Sequence, residues 1–183
     1  MHINRPRSLQ LSRRALVGLS GAYLAAGLFP AKAAPPARAY GMYDETWFLK
    51  PSYDLSKDFA AAASANKTFA VIWEMPSCSW CRLLHAVNFA REDISTYAKQ
   101  NFGFLQLNMT GGRRYADFDG EKLPERILAL KHEVASTPTF QFFVPGGAEG
   151  PREVGRMAYR EPDDFLHMLR FVREQRYLSG QSG

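Results

Sequence analysis

The stretch that decides the fold is TFAVIWEMPSCSWCR, residues 68–82, in which an apolar run leads directly to Cys78 and Cys81, the two cysteines of the chain. An unbroken apolar run of this length predicts a strand buried on both faces. A C-x-x-C that follows such a strand at the start of a helix is typical of a redox-active dithiol, because the first thiolate meets a partner while the second waits one turn behind it. The pattern therefore predicts disulfide exchange.

Three other uses of a C-x-x-C pair fit this sequence less well. A structural zinc site needs four ligands, and the chain has neither a second cysteine pair nor an H-x-x-x-H among its four histidines. Attachment of a c-type haem needs histidine directly after the second cysteine, where this chain has Arg82. A purely structural bridge three residues long removes little entropy from the unfolded chain. We therefore expect redox chemistry without a metal or another cofactor.

The beginning of the chain has the three-part layout of an export signal. Basic residues, including Arg13 and Arg14, precede an apolar stretch over residues 15–29, and small residues follow it. The run SRRALV, residues 12–17, resembles the twin-arginine signature, whose pathway carries folded proteins. An uncleaved membrane anchor is the alternative, although an apolar stretch of 15 residues is shorter than the roughly 20 that a membrane-spanning helix needs.

We accordingly expect residues 1–39 to be a twin-arginine-type signal peptide, cleaved after Ala33 or Ala39, and residues 40–183 to form one periplasmic domain. The full chain has a formal net charge of +5, whereas residues 40–183 carry 17 basic and 18 acidic side chains. The basic character thus belongs to the signal, and a nucleic-acid partner loses its electrostatic support. We expect the mature protein to be a monomer that does not span the membrane.

Hydrophobic periodicity predicts an α/β domain. In chain order we expect a helix over 55–66 capped by Asp54 or Ser56, a strand over 68–74, a helix from Cys78 to about 90, a helix over 92–100, a strand over 104–109, a polar loop over 110–122, a helix from Pro124 to 132, strands over 139–144 and 153–157, and a helix from Pro162. The helical connection makes the first two strands parallel. In the loop we expect Arg113 and Arg114 to be an ordinary solvated pair.

This order of elements resembles the thioredoxin fold, an α/β fold with a central mixed sheet flanked by helices. The resemblance covers roughly residues 55–177, and its most specific elements are the C-x-x-C and Thr137-Pro138-Thr139. Within the fold, the chain is similar to the periplasmic SoxW-type thioredoxins associated with sulfur oxidation. The shorter supporting matches are WFLK (47–50), Glu74, Trp80, His85, NFGF (101–104), DFDG (117–120) and YREP (159–162).

The resemblance and the chemistry assign roles to five residues. Cys78 is expected to be the attacking thiolate, since a sulfur at a helix N-terminus faces unpaired N–H groups that favour its ionised form, and Cys81 then resolves the mixed disulfide. The resemblance implies that the Thr137–Pro138 bond is cis and packs against the cysteines, where Thr137, Pro138 and Trp80 shape the substrate site. An ordinary proline at a strand start is the alternative for Pro138.

The chain departs from thioredoxins at the usual proton shuttle. Thioredoxins carry a buried aspartate six residues before the first cysteine, where this chain has Ile72. Glu74 is the candidate replacement, although strand alternation leaves it either on the face of Ile72 or at the solvent end of the strand. His85, one helical turn after Cys81, is expected to be exposed and inert.

Together these features predict an exported thiol-disulfide oxidoreductase, in the first place a periplasmic disulfide reductase that acts on protein substrates and receives electrons from an inner-membrane donor. Ser79 and Trp80 place no charge between the cysteines, which favours a reductant over an oxidant. The SoxW-type resemblance adds a role in sulfur oxidation. The alternatives are a thiol oxidase of the same fold, a copper-binding or delivery module that uses the two cysteines and a histidine, and a binding domain without redox activity.

Overall fold

The computed structural model of the chain describes Met42, Tyr43 and residues 45–179. The expected signal peptide and both of its cleavage sites lie outside these residues. Among the described helices, none is both long and apolar enough to cross a membrane.

A four-stranded mixed sheet forms the centre of the domain. Its strands are β1 (Thr68–Glu74), β2 (Phe102–Asn108), β5 (Thr139–Pro145) and β6 (Pro151–Ala158), and they lie in the order β2-β1-β5-β6. The first two strands are parallel, as predicted, whereas β5 is antiparallel to both of its neighbours. The expected thioredoxin fold is confirmed by this sheet and by the helices on its two faces.

In the described part of the chain, five α-helices surround the sheet. They are α1 (Leu55–Ser64), α2 (Ser79–Leu83), α3 (Glu92–Asn101), α4 (Glu125–Lys131) and α5 (Pro162–Arg173). The Asp54 side chain accepts the N–H of Lys57 and caps α1, which decides between the two predicted caps. Short 3₁₀ turns lie between β5 and β6, at Gly147–Glu149, and after α5, at Arg176–Ser179.

The sheet separates two hydrophobic cores, and β1 supplies side chains to both. Ala70 and Ile72 face the core that contains α3 and α5, whereas Phe69, Val71 and Trp73 face the core that contains α1 and α4. Successive side chains of a strand point to opposite faces, so a strand covered on both faces needs apolar residues at every position. This is the physical reason for the unbroken apolar run in the sequence.

The loop predicted over residues 110–122 contains a second, two-stranded sheet. Its strands are β3 (Arg114–Ala116) and β4 (Lys122–Pro124), paired antiparallel. Arg114 is exposed, as expected, whereas Arg113 just before β3 is half-buried, because its guanidinium pairs with the buried carboxylate of Glu125 at the start of α4. Pro124 precedes α4 as its cap instead of opening it. The prediction missed these strands because three residues are too few to show a period.

The helix after the cysteines is less regular than predicted. It begins as α2 and continues as a π-helical turn, Leu84–Asn88, in which the N–H of Phe89 donates to the carbonyl of Leu84 at 2.9 Å. Such turns are rare, and they occur preferentially at functional sites.

The N-terminal segment, which we define as residues 42–43 and 45–50, packs along the outer edge of the sheet. The N–H of Leu49 donates to the carbonyl of Phe104 in β2 at 2.8 Å. The Leu49 side chain and Ala62 of α1 also crowd Gly103, where an added Cβ would lie 2.7 Å from that of Ala62. Nearer the cysteine end of the sheet, the side-chain amide of Gln106 in β2 donates to the carbonyl of Tyr43, so the segment reaches that end as well.

Candidate active site

The two cysteines lie where β1 ends and α2 begins, four and seven residues after Glu74. They form a disulfide, with a distance of 5.2 Å between their Cα atoms. Cys78 is the N-cap of α2, and its sulfur accepts the N–H of Cys81 at 3.1 Å. Cys78 retains 7% of its surface exposed and Cys81 only 1%. The more exposed sulfur is thus the one at the helix start.

The loop that precedes β5 completes the site, although it lies far from the cysteines in the sequence. The hydroxyl of Thr137 donates to the sulfur of Cys78 at 3.3 Å, and the carbonyl oxygen of Thr137 lies 3.5 Å from the same sulfur. The Thr137–Pro138 bond is cis, as the resemblance implied, and Pro138 is buried. The structure therefore brings Thr137 and Pro138 together with the cysteines across almost 60 residues of chain.

Trp80 forms an exposed aromatic surface beside the disulfide. Its side chain is 54% exposed, and its ring lies 5.0 Å from that of Tyr159, at the end of β6, measured between centroids. Met75 is also exposed. The amphipathic ring of tryptophan is common in protein interfaces, so this surface suits contact with another polypeptide.

Glu74 is fully buried, on the same face of β1 as Ile72, and does not reach solvent at the strand end. One carboxylate oxygen lies 2.9 Å from Nε2 of His85, and the other accepts the side-chain amide of Gln106. Both oxygens therefore have partners within the protein. A role for Glu74 as proton shuttle stays a prediction.

His85 has a different environment from the exposed one that the sequence predicted. It is fully buried, with Nδ1 lying 3.1 Å from the carboxylate of Glu45 and its ring stacked on Tyr43. Burial alone lowers the pKa of His85, but the hydrogen bonds and negative charges of Glu45 and Glu74 outweigh it and raise the pKa to about 9. The spacing of four residues from Cys81 was the one sequence signal that His85 could lie near the site. Its partner Glu45 lies 40 residues away in the chain, where no local pattern connects the two.

This arrangement suits nucleophilic exchange at sulfur. Cys78, the more exposed of the two cysteines, is adjacent to two hydrogen-bond donors, the N–H of Cys81 and the hydroxyl of Thr137, which stabilise a thiolate in the reduced state. Cys81 is enclosed one turn behind it. Within the part of the chain that the structure describes, no group of three or more His, Cys, Asp or Glu side chains is placed to hold a metal ion.

The cluster around His85 predicts a pH-dependent contribution to stability. Because the pKa of His85 is raised from 6.5 to about 9 on folding, its contribution is fully present below pH 6.5 and is lost as pH rises through about 9. The free energy of unfolding of the wild type should therefore exceed that of His85→Gln most at pH 6, and this difference should shrink by an amount on the order of a few kcal/mol by pH 10.

Urea unfolding at several pH values measures this difference. His167→Gln, which changes an exposed histidine of α5, is the matched control and should follow the wild type at every pH. Parallel curves for the wild type and His85→Gln would contradict the assignment of a buried, charged His85.

Comparison with known proteins agrees with this architecture. A family model described as a thioredoxin-like domain matches residues 55–173. A search of curated proteins found no significant match. A thioredoxin from Thermus thermophilus is similar in structure, with 24% identity, a TM-score of 0.52, and coverage of 68% of this chain and 88% of that one. A thioredoxin-fold protein from Helicobacter pylori has 18% identity, a TM-score of 0.53, and coverage of 72% and 80%, respectively. With its C-x-x-C pair at disulfide distance beside Thr137, the chain belongs to the thioredoxin-like family.

Proposed function

We propose that this protein is a periplasmic thiol-disulfide oxidoreductase that reduces disulfides in protein substrates. The observation that carries the proposal is the placement of Cys78, whose sulfur caps α2 and contacts Thr137 while Cys81 lies enclosed behind it. Two sulfurs with unequal access are what a two-step exchange requires. The exposed ring of Trp80 beside them supports a polypeptide as the substrate.

The reaction begins with the reduced dithiol. The Cys78 thiolate attacks one sulfur of the substrate disulfide, forms a mixed disulfide with it, and releases the other substrate sulfur as a thiolate. Cys81 loses its proton and attacks the Cys78 sulfur, which forms the Cys78–Cys81 bond and expels the second substrate sulfur as a thiolate that takes up this proton. Two electrons have then passed to the substrate, and a dithiol donor must reduce the protein again. The structure holds the oxidised end of this cycle.

The unequal access of the two sulfurs predicts an asymmetry between single variants. Cys81→Ser should accumulate covalent complexes with substrate proteins, because the attacking thiolate is present and the resolving thiol is not. Cys78→Ser should accumulate few, since Cys81 is almost fully buried. Non-reducing gels of periplasmic extracts, with and without dithiothreitol, measure the complexes. Equal trapping by the two variants would contradict the assigned roles.

The proposed direction is reduction. Ser79 and Trp80 contribute no charge between the cysteines, and a thiolate that is only moderately stabilised gives a low reduction potential. We expect a potential nearer the roughly −270 mV of thioredoxin than the roughly −120 mV of DsbA. Equilibration with dithiothreitol or glutathione buffers measures this value. A potential above about −150 mV on that scale would favour a thiol oxidase instead.

The proposed location rests on the sequence of residues 1–39, which has the layout of a twin-arginine signal. The similarity to SoxW-type thioredoxins supports a role in sulfur oxidation, with an inner-membrane dithiol protein as electron donor.

If export uses the twin-arginine pathway, replacing Arg13 and Arg14 by lysine should leave the precursor in the cytoplasm, as cell fractionation and immunoblotting would show. Normal export of the double variant would remove the twin-arginine assignment.

A further inference from the structure

A buried ionic cluster lies directly behind the cysteines and joins three parts of the chain. We define it as Glu45 of the N-terminal segment, Glu74 of β1 and His85 of the π-helical turn. His85 and Glu74 are fully buried, and the side chain of Glu45 is 14% exposed. Nothing in the exchange reaction described above requires these three groups.

Proton counting determines the charge of the cluster. The two ring nitrogens of His85 lie 3.1 and 2.9 Å from carboxylate oxygens of Glu45 and Glu74. A neutral imidazole has one N–H, so it can donate to only one of these oxygens, whereas an imidazolium donates to both. The geometry therefore requires one additional proton, and with that proton on His85 the cluster carries a formal charge of −1.

The other hydrogen-bond partners of the two carboxylates are neutral: the indole N–H of Trp47 donates to Glu45, and the side-chain amide of Gln106 donates to Glu74. The titratable groups that face the ring are Glu74 from β1, and Glu45 and Tyr43 from the N-terminal segment. The other aromatic neighbours of the ring are Phe48 and Phe89, with centroids 6.0 and 5.4 Å away. In such apolar surroundings a charge acts over a longer distance than it does in water.

Helix geometry places Cys81 within reach of this charge. Residues four apart on a helix share a face, with their β-carbons roughly 5–6 Å apart, and a helical side chain leans towards the N-terminus of its helix, here towards Cys81. Cys81 lies in α2 and His85 in the π-helical turn that continues it, and both side chains are buried. The imidazolium and its two carboxylates are therefore close enough to influence the ionisation of the dithiol.

We propose that His85 and Glu45 are positioning residues of the redox site, and that the charge balance of their cluster with Glu74 sets the equilibrium between the dithiol and the disulfide. The proposal rests on the proposed function, because it concerns the same cysteines. It makes the N-terminal segment part of redox control, through a carboxylate 33 residues before Cys78. Glu45, Glu74 and His85 act here through charge, without contact with the substrate.

The two positioning residues should act in opposite directions. Glu45→Gln removes a negative charge, leaves a neutral cluster and stabilises a nearby thiolate, so the reduced protein becomes more favoured. His85→Gln removes the positive charge, leaves two carboxylates and disfavours the thiolate, so the disulfide becomes more favoured. A residue with only a structural role would change stability in both variants without this opposition of sign.

The test is the thiol-disulfide equilibrium of the whole protein in dithiothreitol buffers at pH 8, read by alkylation of free thiols and mass spectrometry. We expect the equilibrium constant to move about threefold or more towards the reduced form in Glu45→Gln, and by a similar factor towards the disulfide in His85→Gln. Glu174→Gln is the matched control, because it removes a carboxylate that pairs with Arg176, next to Arg173, whose guanidinium contacts Thr68 at the other end of β1. It should leave the equilibrium unchanged.

Circular dichroism shows whether each variant is folded, and if His85→Gln is not, Glu45→Gln alone decides. Nitrogen-15 NMR of the His85 ring should show two N–H groups at pH 7.5, and a single N–H would overturn the proposal. Shifts of equal sign, or no shift, in variants that still exchange disulfides would overturn the proposal and leave the proposed function standing. A wild type that exchanges with neither dithiothreitol nor a protein disulfide would overturn both.

Discussion

The structure depends on the burial of β1 on both faces. All seven residues of this strand are buried, between β2 and β5 in the sheet and between two hydrophobic cores above and below it. A strand that has no solvent-exposed face cannot shift its register by one residue without exchanging its contacts with both cores. The end of β1, and with it Cys78, is therefore held in place by the packing of the whole domain. The position of the redox pair is a property of the core.

The polar groups at this end of the sheet are buried with it, and each is held by a specific partner. The indole N–H of Trp73 donates to Gln141 on one side of the sheet, whereas Glu74 bonds to His85 and Gln106 on the other. An unpaired buried charge would cost several kcal/mol, so these contacts constrain the rotamers of their members. The same partners that satisfy Glu74 thereby fix the electrostatic environment in which the cysteines react.

Much of this architecture can be read from local patterns. Continuous apolar residues predicted β1, a capping residue at Asp54 or Ser56 predicted the start of α1, and the C-x-x-C with Thr137-Pro138 indicated both the fold and the two halves of the site. These signals are local because they reflect burial, capping and backbone geometry.

The features that the sequence did not predict depend on contacts between distant residues. His85 was expected to be exposed, because its charge partner Glu45 lies in an irregular segment with no period to reveal where it packs. Arg113 was expected to be solvated, because nothing near it in the sequence identifies Glu125 as buried. The π-helical turn adds one residue to a helical turn, which residue propensities do not encode.

The N-terminal segment also affects the behaviour of the domain towards other chains. An open strand edge is a template onto which a further strand can add, and it promotes aggregation. The hydrogen bond from Leu49 to Phe104 occupies part of the β2 edge. The opposite edge, β6, begins at Pro151, which has no N–H to offer, and it carries exposed arginines at positions 152 and 156. The two edges of the sheet are thus protected by different means: the N-terminal segment covers part of β2, whereas β6 is protected by its own proline and arginines. Loss of the N-terminal segment would expose the apolar strand β2 to self-association.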